Sequence, residues 1–254
     1  MISMRWTCLL FLLLLGNISA YCQTTNPNEY VEEKPPLMKG EIAFGLNVHT
    51  SGTLGLQFRK AKNLTGYKKF YLEADLVGMK HPKEIKSVNR YFTDAKAFVF
   101  GKQNNLTILR GGSGFEKTLY SKFEKNGVDI RFVYGGGLSL GITKPVYLNI
   151  LEPTGKFGEF DIIVEKYDAN KHFLDNIYGR APFTYGLNQI NLHPGAYGRV
   201  AFNFEYSPIY YDIKSLELGA IIDAFPKDIP IMALIDNKKF YFTFYMTFIY
   251  GRKK

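Results

Sequence analysis

Cysteine is almost missing from this chain. Its 254 residues include two, Cys8 and Cys22, and both fall near the N-terminus. Cleavage of a leader before Gln23 would remove them, and disulfides and thiol chemistry would then drop out. Tryptophan occurs once, at Trp6, and the four histidines (His49, His81, His172 and His193) have no metal-ligand spacing. Gly135-Gly136-Gly137 is followed by neither a Lys-Ser/Thr pair nor a helix, as a phosphate loop requires. No cofactor and no metal are therefore expected. After such a leader, no apolar run reaches the roughly eighteen residues of a membrane helix. That excludes a helical span, but a closed barrel also satisfies every backbone group in lipid. Acid is the scarcer charge, 23 residues against 32 basic ones, for a formal charge of +9.

Aromatic residues are abundant, with 18 Tyr and 21 Phe. The stretch Val128 to Ile142 organises the rest. Val128, Ile130, Phe132, Tyr134, Gly136, Leu138, Leu140 and Ile142 alternate with Asp129, Arg131, Val133, Gly135, Gly137, Ser139 and Gly141. A period of two over such a length predicts a β-strand, and at a tilt near 40° it rises about 38 Å, enough to cross a bilayer. Apolar residues on one face and small or polar ones on the other predict a lipid-facing wall and a crowded barrel interior.

Met1 to Cys22 reads as a secretory signal peptide: Arg5 is its positive start, Cys8 to Leu15 its apolar core, and Asn17 to Cys22 its cleavage region. Cleavage after Ala20 is the alternative. Residues 23–39, with Pro27, Pro35 and Pro36, read as an extended periplasmic tail. Residues 40–254 read as the barrel. Strands are expected at Glu41–His49, Leu54–Arg59, Phe70–Val77, Ala95–Lys102, Leu106–Leu109, Phe115–Tyr120, Val128–Ile142, Gly198–Tyr206, Leu216–Ala224 and Phe240–Tyr250. A short basic loop is expected after Arg59, and longer loops at residues 144–194 and at Phe225–Lys239. The long loop contains a strand-like Phe160–Val164 and a helical turn near His172–Ile177. Splitting Leu106–Tyr120 at Gly111-Gly112-Ser113-Gly114 gives ten strands, an even number, as both termini on one side require. Eight, with two early segments outside the barrel, is the alternative. The fold class expected is an all-β, antiparallel, up-and-down transmembrane β-barrel.

Three stretches carry a resemblance: Gly40-Glu41-Ile42-Ala43-Phe44-Gly45, then Lys80-His81-Pro82-Lys83-Glu84, and Gly136-Gly137-Leu138-Ser139-Leu140-Gly141 followed by Lys144-Pro145. In these, the chain resembles the small outer-membrane β-barrel proteins of the Bacteroidota, over roughly Lys39 to Tyr250. The resemblance implies a location in the bacterial outer membrane and a fold, and little about activity.

Within that frame, Val128, Ile130, Phe132, Leu138, Leu140, Phe242, Phe244 and Phe248 are expected to face lipid. Glu73, Asp75, Asp129, Arg131, Arg199, Glu205 and Glu217 are expected inside, paired into a hydrogen-bonded plug because unpaired buried charge is costly. His49-Thr50-Ser51 resembles the His-x-Ser pair of outer-membrane lipid A deacylases. A serine hydrolase also needs an acid to orient the base, and Glu73 reaches His49 only through folding. The main expectation is a non-enzymatic barrel, a structural or accessory subunit of an outer-membrane assembly or export complex; a lipid-modifying enzyme is the alternative. Expected partners are outer-membrane lipid or lipopolysaccharide and other outer-membrane proteins, with the aromatic-rich long loop as the docking element. Nucleic acid is not an expected partner of an exported chain without a compact basic motif.

Overall fold

A computed structural model describes residues 38–122, 127–154, 160–207, 209 and 211–254. The expected signal peptide lies outside the described residues, as does the expected tail up to residue 37. The strands, in chain order, are β1 (Gly40–His49), β2 (Gly52–Thr65), β3 (Lys68–Met79), β4 (Lys86–Ser87), β5 (Phe98–Val99), β6 (Asn104–Tyr120), β7 (Asp129–Pro145), β8 (Tyr147–Pro153), β9 (Phe160–Lys166), β10 (Ile177–Arg180), β11 (Asn191–Glu205), β12 (Asp212–Ala224) and β13 (Phe240–Lys253).

Eight of them close a barrel in the order β1-β2-β3-β6-β7-β11-β12-β13, with β13 returning to β1. Every neighbouring pair is antiparallel. The expected count of ten is corrected to eight by two findings. First, β6 runs unbroken through Gly111-Gly112-Ser113-Gly114, in register with both neighbours (Glu73↔Gly112 and Gly112↔Gly137). Second, of Ala95–Lys102 only Phe98–Val99 is strand, and it pairs with Lys86–Ser87 outside the barrel. The basic stretch after Arg59 is not a loop either: β2 continues to Thr65 and turns at Gly66-Tyr67.

The glycines keep their place in β6 and β7 because other residues need their space. A Cβ on Gly112 would sit 2.5 Å from the Tyr197 hydroxyl, and one on Gly135 would sit 2.5 Å from the Tyr71 hydroxyl. Two inward tyrosines thus fill the volume the glycines leave, as a packed interior demands.

Each barrel strand alternates between a buried inner residue and an exposed or half-exposed outer one. The outer wall is apolar on strand after strand, for example Phe44, Leu56, Leu72, Leu138, Phe202, Ile222 and Phe244. Solvated surfaces rarely hold so continuous an apolar patch, whereas a lipid-facing wall requires one. The short connections between strands, 66–67, 121–128 and 206–211, lie at one end. At the other end lie the tight Thr50-Ser51 turn and three long connections, 80–103, 146–190 and 225–239. The long loop is therefore shorter than the expected 144–194, because β7 runs to Pro145 and β11 starts at Asn191. Pro194 is tolerated in β11 because it lies beyond Ala196, where pairing with β12 ends. The expected helical turn near His172 is a series of turns leading into β10.

The long connections fold on one another into a cap. β10, β8 and β9 form a three-stranded sheet. Phe98, Leu148, Ile150, Tyr167, Ile177 and Ala233, drawn from all three connections, make its apolar core. The 225–239 connection dips into the barrel mouth, where Phe225, Ile229, Ile231 and Met232 pack on inward-facing Val77, Met79, Leu106 and Ile108. Asn237 holds this plug together: its Oδ1 accepts from the Ile231 N–H at 2.9 Å and its Nδ2 donates to the Met232 carbonyl at 3.1 Å.

Candidate functional site

Below that plug the lumen is crossed by charge. Arg59 of β2 donates from Nη1 to Glu217 of β12 at 2.6 Å and to Glu116 of β6 at 3.0 Å. Its Nη2 donates to Glu73 of β3 at 3.2 Å. Arg199 of β11 reaches Glu73 and Asp75 at 2.5 Å each. Tyr197 donates to Glu73 and Tyr245 to Glu217, both at 2.8 Å. Nearer the plug, Arg110 forks onto Asp223 at 2.9 and 2.7 Å, with both side chains fully buried. Nearer the short turns, Arg131 pairs with Glu205 at 2.5 Å and Asp129 at 3.1 Å, Lys253 pairs with Glu205 at 2.5 Å, and Lys69 pairs with Glu41. Buried arginines shared among several carboxylates form a rigid, cross-linked filling.

The structure thus places Glu73, Asp75, Arg131, Arg199, Glu205 and Glu217 in the lumen, with Asp129 half-buried at its rim. Arg110 and Glu116 belong to the same network and were missed, because the expected break at Gly111–Gly114 hid the alternation that turns them inward. Of the residues expected to face lipid, Leu138, Phe242, Phe244 and Phe248 are exposed on the outer wall. Ile130, Phe132 and Leu140 are half-buried there. Val128 is exposed but precedes β7, whose first residue is Asp129.

The His49, Ser51 and Glu73 constellation is not assembled. His49 is buried at the end of β1, and neither of its ring nitrogens has a hydrogen-bond partner among the described residues. Ser51 lies in the turn. The Glu73 carboxylate is held by Arg59, Arg199 and Tyr197. Nothing here orients His49 as a base, which a serine nucleophile requires. Among the described residues no group of acidic, histidine or cysteine side chains has the arrangement of a metal site.

The cap offers a different kind of surface. Of the long-loop aromatics, Tyr147 packs at a tilt against Tyr185 with ring centres 6.1 Å apart, and Tyr178 packs edge-on against Phe92 at 5.1 Å. Phe183 lies under the Lys144 ammonium at 3.9 Å. These contacts hold the loop onto its own molecule. Phe157 lies outside the described residues. Phe160 and Phe173 remain exposed. Phe160 shares its face of β9 with Ile162 and Val164, which are also exposed, and among the described residues β9 pairs with β8 along one edge only. At the base of the cap, burial lowers the His81 imidazole below its ordinary value, against the raising effect of Glu84. Its Nδ1 accepts the Lys83 N–H at 3.2 Å.

No protein-family model matches the chain, and no curated protein matches it. Two solved structures of Ail, the attachment invasion locus protein of Yersinia pestis, align with 85% of this chain and 97% of their own. The one in complex with the heparin analogue sucrose octasulfate is 7% identical with a TM-score of 0.35, and the other is 6% identical with the same score. The architecture is established by this chain's own strand pairing: a small closed β-barrel of eight antiparallel strands, with an apolar outer wall and a filled polar lumen.

Proposed function

We propose that this chain is exported by its Met1–Cys22 leader and works, without catalysis, as an integral β-barrel of the bacterial outer membrane. In this reading it is an accessory or structural subunit of an assembly or export complex, of the type the Bacteroidota-like motifs imply. Short turns face the periplasm and the cap faces outward. Outer-membrane lipid surrounds the wall, and another outer-membrane protein docks on the cap.

The observation that carries this reading is the contrast between the lumen and β9. The lumen is filled along its length by ion pairs and an apolar plug, which leaves no role for it in conduction or substrate binding. Among the described residues, β9 instead presents an unpaired backbone edge beside exposed Phe160, Ile162 and Val164. An open edge with alternate apolar side chains suits strand addition, in which main-chain hydrogen bonds give affinity and side-chain contacts give choice of partner.

The test is co-purification from native membranes. Deleting Gly155 to Asn188 should leave a barrel that still shifts on an unboiled denaturing gel but no longer brings down stoichiometric partners. Ile162→Lys should weaken capture in the full-length chain. Retained partners after the deletion would place docking elsewhere, and loss of the gel shift would make the loop a structural lid.

A further inference from the structure

We propose that outward-facing cations at the short-turn end of the barrel form a collar that binds the phosphates of an anionic glycerophospholipid. The inference rests on the membrane reading above and adds a ligand class and a leaflet to it.

Lys60, Lys62, Lys68, Lys117, Lys214 and Arg252 stand on the outer face of five barrel strands, all near the short turns. The outer faces of the barrel strands carry one further cation, Lys144 at the cap end, and its ammonium is engaged by the Phe183 and Tyr185 carbonyls. They carry one acid, Asp212. Among the described residues of the barrel strands, the other carboxylates at the short-turn end are already held: Glu41 by Lys69, Glu116 by Arg59, Asp129 by Arg131, and Glu205 by Arg131 and Lys253. Lys60, Lys62, Lys117, Lys214 and Arg252 have no ion-pair partner among the described residues. Asp212 is the cross-strand partner of Arg252, and the Lys68 ammonium lies over the Phe115 ring at 4.2 Å; the barrel wall thus sorts charge, with paired groups inside and an excess of cations outside.

Register tightens the argument. Lys68 and Lys117 are direct cross-strand partners, and like charges so placed repel unless an anion joins them. Arg252 and Lys60 flank Ile42 from its two neighbouring strands. The level is also right for a headgroup. Phe70, Phe115, Tyr134, Phe132 and Phe202 form a chain of ring contacts, 5.5 to 5.9 Å between centres, around the outer wall. Such a girdle marks the membrane interface. Lys62 pairs with Phe70 and Lys117 with Phe132, which sets these cations at the girdle, while Lys60, opposite Leu72, lies one step to its cap side; the long stems can carry the ammonium groups to the phosphate plane. Because the collar occupies one end only, it selects the leaflet on the side of the short turns.

The experiment uses the intact mature chain in nanodiscs of equal parts phosphatidylglycerol and phosphatidylcholine, with retained lipids identified by native mass spectrometry. The wild-type chain should retain phosphatidylglycerol preferentially, and raised salt should weaken the preference. Inorganic phosphate at the same ionic strength should not compete better than chloride if the ligand is a lipid. Changing Lys60, Lys62, Lys117 and Arg252 to Gln should reduce the preference by about fivefold per cation removed. Changing Lys83, Lys171, Lys227 and Lys238 in the cap to Gln should not. Equal loss in both variants would reduce the effect to net charge and overturn the collar. So would a wild-type chain that inserts, shown by its gel shift, yet retains both lipids alike. A wild-type chain that fails to insert would refute the membrane reading itself. If the collar variant alone misfolds, the wild-type lipid ratio and its salt dependence still decide.

Discussion

Leu138→Arg separates a membrane barrel from a soluble one. Leu138 is 75% exposed and projects from the middle of β7. The depth follows from register. Phe132 pairs with the collar residue Lys117, and Ile142 pairs with Thr107 at the cap end. Ten residues separate Phe132 from Ile142, which at 3.3 Å each and a 40° tilt is about 25 Å, the height of a lipid-facing band. The midpoint falls at Gly137, so Leu138 lies one residue from mid-bilayer. Arginine there should cost about 2–4 kcal/mol, a shift of roughly 30- to 700-fold in the folding equilibrium. In water the same change at so exposed a position would stay within about 0.5 kcal/mol. The assay is reversible denaturant unfolding in phosphatidylcholine vesicles, with the gel shift as the readout of the folded state. Leu138→Ala serves as the control for lost apolar contact. A Leu138→Arg chain as stable as the Ala control would refute the lipid-facing assignment.

Four further predictions concern the interior, the docking face and the cap. Arg59→Leu would leave Glu73, Glu116 and Glu217 short of their shared cation and should destabilise the barrel by about 3–5 kcal/mol in the same unfolding assay. Gly137→Leu should cost at least about 1–3 kcal/mol, because even its Cβ would run into the backbone of Gly111 and Gly112. Ile162→Lys should lower partner recovery by roughly 30-fold if β9 is a hot spot worth about 2 kcal/mol, with unfolding in vesicles unchanged. The His81 imidazole has a lowered folded-state value, so its stabilising effect is present above its unfolded value near 6.5 and is lost as pH falls below it. Protonation would cost the Lys83 N–H its acceptor, while Glu84 would soften the loss and Lys83 and Lys238 would deepen it. Amide exchange over residues 80–84 should therefore speed up more between pH 7 and pH 5 than intrinsic rates explain, and His81→Gln should remove that pH dependence.

The faces of β1, β3, β7 and β13 were legible because each holds a strict period of two, in which identity of the outer residue follows from position alone. Strand number was not, and each error has a local cause. Gly111–Gly114 reads as a break by its own propensity, yet Tyr71 and Tyr197 from neighbouring strands supply the bulk those glycines lack. Phe98, Val99 and Phe100 read as a barrel strand, but their apolar partners are in the cap, a tertiary fact with no local trace. Lys60 and Lys62 read as loop because lysine is rare in lipid, although they alternate correctly with the buried Arg59 and Ala61. Pro194 reads as a strand stop, and only the premature end of β12 makes it harmless. Of the lumen network, carboxylates and arginines on clear strands could be found by parity. Arg110 and Glu116 required continuity through the glycines.

The seam between β1 and β13 constrains how the molecule can be made. It joins the first strand to the last, so the cylinder cannot shut until nearly the whole chain is present. The lumen pairs span comparable distances along the chain: 158 residues from Arg59 to Glu217, 126 from Arg199 to Glu73, and 113 from Arg110 to Asp223. Contacts so remote form slowly, because the closure entropy precedes any reward. A sheet ending before β11 would carry Arg110 without Asp223 and Asp75 without Arg199, and buried charge so exposed to hydrocarbon is costly. Assembly is therefore tied to a single late event, in which wall closure and charge neutralisation occur together, and a chain truncated before β12 would have no partially functional form.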